Sequence, residues 1–254
     1  MHRFDLLITD PIDSVLKLLL PLLLMLLAAC GGASEPPRPD SEVSPDTTAP
    51  AARDTARAER TINVLVLGNS LAAGYGLSPD EAFPAVLQRK VDSLGWPVRI
   101  INAGLSGETS AGGLRRIEWL LRERIDVLIL ELGANDGLRG IDPEVTRRNL
   151  QGIIDSVRAR YPDADIILAG MQLPPNLGPD YTAAFRAIYP ELARANDAHL
   201  IPFLLEGVGG VPELNQADGI HPTAEGQRIV AENVWRVLRP VLERQLSRPI
   251  RNVS

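Results

Sequence analysis

Five short runs of this sequence are almost unbroken in apolar residues: "INVLVLG" (62–68), "VRIINAG" (98–104), "DVLILELG" (126–133), "DIILAGM" (165–171) and "HLIPFLL" (199–205). A strand with one wet face alternates apolar and polar side chains, so near-continuous runs point to strands buried on both faces, as in a parallel sheet covered by helices. The segments between them supply those helices. "AFPAVLQRKVDSLG" places Phe83, Val86, Leu87 and Val91 on one face and stops at Gly95, and "GGLRRIEWLLRER", "VTRRNLQGIIDSVRARYP" and "AEGQRIVAENVWRVLRPVLERQL" repeat the spacing. This alternation predicts an α/β domain over residues 61–246, with a parallel sheet between helices and right-handed crossovers; residues 247–254 are expected to form a flexible tail.

The first 60 residues do not share this pattern. "LLLPLLLMLLAAC" follows Lys17 as an apolar run too short for a membrane span, which needs about 20 such residues. Residues 1–30 therefore read as an export signal. Leu27-Ala28-Ala29-Cys30 resembles the bacterial lipobox, which implies cleavage before Cys30 and lipidation of that cysteine. Gly31 in place of an aspartate favours, by the same resemblance, the periplasmic side of the outer membrane or the cell surface. Residues 31–60 carry five prolines among Ala, Asp, Ser and Thr and cannot bury enough surface to offset their ordering, so they read as a disordered tether.

Cys30 is the only cysteine, which leaves no intrachain disulfide, no cysteine-rich zinc site and no thiol nucleophile in the domain. The formal net charge of −6 and an aromatic content of 4% argue against nucleic-acid binding. No metal and no organic cofactor is implied, and a monomer is expected.

In open α/β sheets, functional groups gather beyond the carboxyl ends of the strands. Here those ends carry Gly68-Asn69-Ser70, Asn102-Ala103-Gly104 and Gly133-Ala134-Asn135-Asp136, and Asp218-Gly219-Ile220-His221 follows the fifth run. A serine hydroxyl attacks only when a base takes its proton, and the base needs an acceptor on its other ring nitrogen. Of three histidines, His2 lies in the leader and His199 just precedes a strand, which leaves His221 as the candidate base. Asp218, three residues earlier, can reach one imidazole nitrogen through the turn at Gly219; the plainer alternative is a capped helix start with an exposed histidine. The N–H groups of Ser70 and Gly104 and the amide of Asn135 could serve as oxyanion donors, although singly Gly104 reads as a turn glycine and Asn135 as a loop cap. Asp136 is expected to cap its loop, and Glu108 to face solvent or cap the following helix.

Gly68-Asn69-Ser70-Leu71, Gly104, Gly133-Ala134-Asn135-Asp136 and Asp218-Gly219-Ile220-His221 resemble, in order and spacing, the blocks of the GDSL or SGNH hydrolases. "ELGANDGLRG" and "LPPNLGPDYTAAFRAIYPELA" look like the thioesterase I, arylesterase and lysophospholipase branch. The resemblance implies a three-layer, flavodoxin-like sandwich with a five-stranded parallel sheet. It further implies hydrolysis of a small acyl ester or thioester by Ser70 as nucleophile, His221 as base and Asp218 as its partner, with Ser70, Gly104 and Asn135 around the oxyanion. By the same resemblance the segment 171–183 is a loop that shifts over acyl chains, with Met171, Leu173, Pro174 and Leu177 as substrate contacts; a rigid, proline-ordered connection is the plainer alternative. Asn69 departs from the pattern, which has aspartate there, and loses its negative charge. Two alternatives stay open: a carbohydrate O-deacetylase, and a surface lipoprotein that binds ligand without catalysis.

Overall fold

The computed structural model describes residues 60–248. The expected signal with Cys30, the tether as far as residue 59 and residues 249–254 lie outside the described residues. Strand β1 (Ile62–Gly68) runs into the single-turn helix α1 (Ser70–Ala73), then α2 (Phe83–Ser93), β2 (Val98–Gly104), α3 (Ser110–Leu120) and β3 (Val127–Glu131). The chain continues through α4 (Ala134–Leu138), α5 (Pro143–Arg160), β4 (Asp165–Ala169), α6 (Pro179–Ala195), β5 (His199–Ile201) and α7 (Ala224–Ser247).

The strands form one parallel sheet in the order β2-β1-β3-β4-β5, which is the order of flavodoxin-like folds. Helices α2 and α7 pack together on one face, and α3, α5 and α6 on the other. The chain steps outward from β1 to β2 and then returns past β1 to β3. Consecutive crossovers therefore leave β1 in opposite directions and open a crevice above its carboxyl end.

Burial follows strand position. All five residues of β3 are buried, as is β1 except at Asn63, whereas β2 buries only Val98. The expectation of double burial fails for β2 because it is an edge strand. The fourth connection also differs from expectation: α6 begins at Pro179, so residues 179–183 are helical. A proline fits there because the first helical N–H has no intrahelical partner to lose.

Polar side chains join the layers where backbone groups would otherwise be orphaned. Gln227 of α7 is 1% exposed; its Oε1 accepts the Phe83 N–H at the start of α2 (2.9 Å), and its Nε2 donates to the Leu71 carbonyl in α1 (3.1 Å). Gln227→Leu strands both groups in a dry interior. We expect a cost on the order of 2–4 kcal/mol and a Tm lower by on the order of 10 °C, measurable by thermal denaturation; an unchanged Tm would mean that the two backbone groups find other partners.

Candidate active site

The turn that presents Ser70 is built from backbone donors and buried acceptors. Asn69 is itself buried, and its Oδ1 caps α1 by accepting the Leu71 N–H at 2.9 Å. Glu131, at the end of the neighbouring strand β3, accepts the N–H groups of Asn69 (2.9 Å) and Ala72 (3.3 Å) on Oε2. Ser70 is the first residue of α1, so its own N–H points out of the helix start with no carbonyl inside the helix to bond.

His221 approaches from a loop 151 residues away in sequence, and its Nε2 lies 2.9 Å from Ser70 Oγ. Its Nδ1 lies 2.6 Å from Asp218 Oδ2, while Asp218 Oδ1 accepts the N–H groups of Ile220 and His221, both at 3.0 Å. The bond to His221, followed by those two backbone donors, holds the Asp218 carboxyl down at about 2. A carboxylate on Nδ1 fixes the proton there and leaves Nε2 to accept from the serine. The loop closes on itself: Gly219 takes a left-handed φ of +73°, and Asn215 and Pro222 form an antiparallel bridge at its base. The expected convergence of Ser70, His221 and Asp218 is therefore present, and the capped-helix alternative describes only Thr223, which caps α7 separately.

The three expected oxyanion donors differ in availability. Asn135 stands in α4, and its Nδ2 donates one hydrogen to the Glu108 carbonyl at 2.9 Å, which leaves the second free. Gly104 does sit beside the nucleophile turn, but its N–H donates to Asn102 Oδ1 at 2.9 Å and must be shared or released to meet a substrate. Gly104 also has a steric role. A Cβ there would lie 2.3 Å from the Ala73 nitrogen, so only glycine lets β2 approach α1 this closely.

Glu108 does not face solvent. It is 8% exposed and is gripped in a fork by Arg116, whose Nε lies 2.7 and 2.9 Å from the two carboxylate oxygens and whose Nη2 donates to the Ala103 carbonyl at 2.6 Å. This clamp fixes the loop whose Glu108 carbonyl orients Asn135. Asp136 does not cap its own loop but accepts both the N–H and the hydroxyl of Ser110 at the start of α3, which ties α4 to α3.

Of the expected substrate contacts, Met171 is a correction. It is 2% exposed and belongs to the hydrophobic core, since only Gly170 separates it from the end of β4 and it is still within the interior. Leu173 is half-buried against Gly137 of α4, Leu177 is half-buried and Pro174 is exposed, so these three stay on the surface of the loop. Sequence reasoning missed the braces. Gln216 Nε2 donates to the carbonyls of Tyr75 (2.7 Å) and Pro222 (3.0 Å), tying the loop after Ser70 to the loop of His221. The Tyr75 ring lies 4.5 Å from the His221 ring between centroids. Nothing in the composition of these loops marks Gln216, but Glu131 does leave a trace: it is the one acidic residue inside "VLILELG".

Residues 66–229 match the family described as GDSL-like Lipase/Acylhydrolase. The fold and the Ser–His–Asp geometry agree with this, and the chain belongs to that family. It is 45% identical over 180 residues to Esterase TesA of Pseudomonas aeruginosa, covering 70% of this chain and 89% of that protein. It is 41% identical to Thioesterase 1/protease 1/lysophospholipase L1 of Escherichia coli, covering 74% of this chain and 88% of that protein. The crystal structure of TesA superposes with a TM-score of 0.68 at 44% identity, over 70% of this chain and 99% of that one.

The close approach at Gly104 gives a test of site geometry. Gly104→Ala forces the α1 backbone aside, and displacements near 1 Å at a reacting centre cost roughly a hundredfold in rate. We expect hydrolysis of p-nitrophenyl butyrate to lose on the order of a hundredfold in kcat; a variant with wild-type kcat would show that α1 tolerates the shift.

Proposed function

We propose that this enzyme is a serine esterase that hydrolyses carboxylic ester or thioester bonds of short to medium acyl substrates through an acyl-enzyme. The observation that carries the reading is the unbroken chain from Ser70 Oγ to His221 Nε2 at 2.9 Å and from His221 Nδ1 to Asp218 at 2.6 Å. His221 takes the hydroxyl proton as Ser70 Oγ attacks the carbonyl carbon, and the Asp218 carboxylate stabilises the resulting imidazolium. The Ser70 N–H and the second hydrogen of Asn135 Nδ2 are the donors for the oxyanion, joined by Gly104 once its N–H leaves Asn102. Collapse of the tetrahedral intermediate expels the alcohol or thiol, which takes the proton from His221. Water then attacks the acyl-enzyme with His221 again as base, and the acid leaves.

An apolar acyl group suits the rim. Tyr75 (51% exposed), Leu105 (54%) and Ile220 (47%) each project beside one of the loops that carry Ser70, Gly104 and His221. Large apolar side chains left in water around a polar centre favour a substrate with an apolar portion. The names of the relatives, esterase and thioesterase/lysophospholipase, support the same class.

We also take Cys30 to be a lipid-bearing residue that anchors the enzyme on the periplasmic side of the outer membrane or at the cell surface. Cys30→Ala is expected to move the protein from the membrane fraction to the soluble fraction of a bacterial host; retention in the membrane fraction would refute the anchor. For the chemistry, Ser70→Ala is expected to lower kcat on p-nitrophenyl butyrate by at least about a thousandfold and to abolish covalent labelling by a fluorophosphonate. Labelling that persists in the variant would remove Ser70 from the mechanism.

A further inference from the structure

Glu131 is wholly buried at the carboxyl end of β3, beneath the turn that carries Ser70. Its Oε2 binds the N–H groups of Asn69 and Ala72, which bracket Ser70 and Leu71. Its Oε1 and the Nδ2 of Asn69 are both buried, and neither has a hydrogen-bond partner. A buried carboxyl with a spare oxygen, beside a buried amide with a spare donor, is costly to keep as a mere packing element. We propose that Glu131 is a positioning residue for the nucleophile, whose ionisation tightens its hold on the Asn69–Ala72 turn and so on Ser70. This inference rests on the assignment of Ser70 as the attacking group.

The sequence departure at residue 69 supports this role. An aspartate there would place a second carboxyl against Glu131, and two close carboxyls share a proton rather than ionise together. Asn69 offers a donor in its place. Burial pushes the Glu131 carboxyl up to about 8, opposed by the backbone donors of Asn69 and Ala72, while the charge of Glu108 adds to the rise. From α6, the buried Tyr189 hydroxyl is also electrostatically coupled to Glu131; burial is the main cause that raises it well above its usual value, so it stays neutral throughout. Glu131 thus changes charge in the working range. A carboxylate accepts stronger hydrogen bonds than the neutral acid, so the turn is held more firmly as pH rises through about 8.

Linkage sets an opposite trend for stability. Because the folded-state value is raised, the stabilising contribution of Glu131 is fully present below its unfolded value of 4.5 and is lost as pH rises through about 8. A stability loss coupled to an activity gain, both removed by one isosteric change, separates positioning from simple packing.

The test follows kcat and KM of the purified wild-type protein on p-nitrophenyl butyrate from pH 6 to 10, with thermal melts and amide 1H–15N spectra over the same range. We expect a rise in kcat centred near pH 8. Glu131→Gln should remain folded, lose this step, and lower kcat roughly tenfold with little change in KM. The Asn69 and Ala72 amide shifts should titrate with the same midpoint in wild type and not in Glu131→Gln, and Asn69→Asp should move that midpoint upward. A wild-type enzyme without the step, or Glu131→Gln with an unchanged profile, overturns the inference while leaving the esterase assignment intact. Wild type without hydrolysis overturns the esterase assignment, and the amide titration then decides the Glu131 coupling alone: its absence, or its persistence in Glu131→Gln, overturns it.

Discussion

Gly68 ends β1 paired with Gly104 of β2 on one side and with Glu131 of β3 on the other. That single row of the sheet governs the active site. Gly104 contributes no side chain, so the first turn of α1 settles almost onto the β2 backbone. Glu131 contributes a carboxyl long enough to catch the N–H groups of Asn69 and Ala72 from below. Between the two, Ser70 has little freedom of position, and its hydroxyl and N–H both face the crevice where the crossovers diverge.

The second half of the site is brought to this row by polar braces. The turn containing Asp218 and His221 is held by the Asn215–Pro222 bridge, and Gln216 joins it to the Tyr75 carbonyl just beyond α1. Gln227 then fixes the start of α7 to α1 and α2. Side-chain amides suit this task because each can bond two backbone groups at once. The result is a preorganised pairing of Ser70 with His221 whose geometry depends on few mobile side chains. The apolar side chains left exposed around them, Tyr75, Leu105 and Ile220, sit on the same three loops that carry the chemistry. The proposed substrate contacts and the proposed catalytic groups therefore share their supports.

Much of this was legible in the sequence because the chemistry leaves few choices. With three histidines, and only one in a rim loop, His221 was reached by elimination, and the apolar runs located every strand. The edge position of β2 was not legible, since hydropathy does not encode neighbours. Helix α6 was hidden by its opening Pro-Asp, which reads as a loop although proline suits a first helical turn. Glu108 reads as a surface residue until Arg116, in the second turn of α3, folds back on it. Met171 was expected at the substrate and lies in the core, because one apolar residue beyond a buried strand looks the same in either place. In the sequence Glu131 reads only as part of an apolar run, since the contact that distinguishes it comes from 62 residues away.

The central claim is that the ends of three adjacent strands and one distant loop converge on a single carbonyl. A crystal structure of the enzyme after reaction with a fluorophosphonate tests it directly. The account expects phosphorus bonded to Ser70 Oγ, with the phosphoryl oxygen within about 3 Å of the Ser70 N–H and Asn135 Nδ2, and with the Gly104 N–H turned from Asn102 toward that oxygen. Phosphorus on a different side chain, or a phosphoryl oxygen directed into solvent away from all three donors, would contradict it.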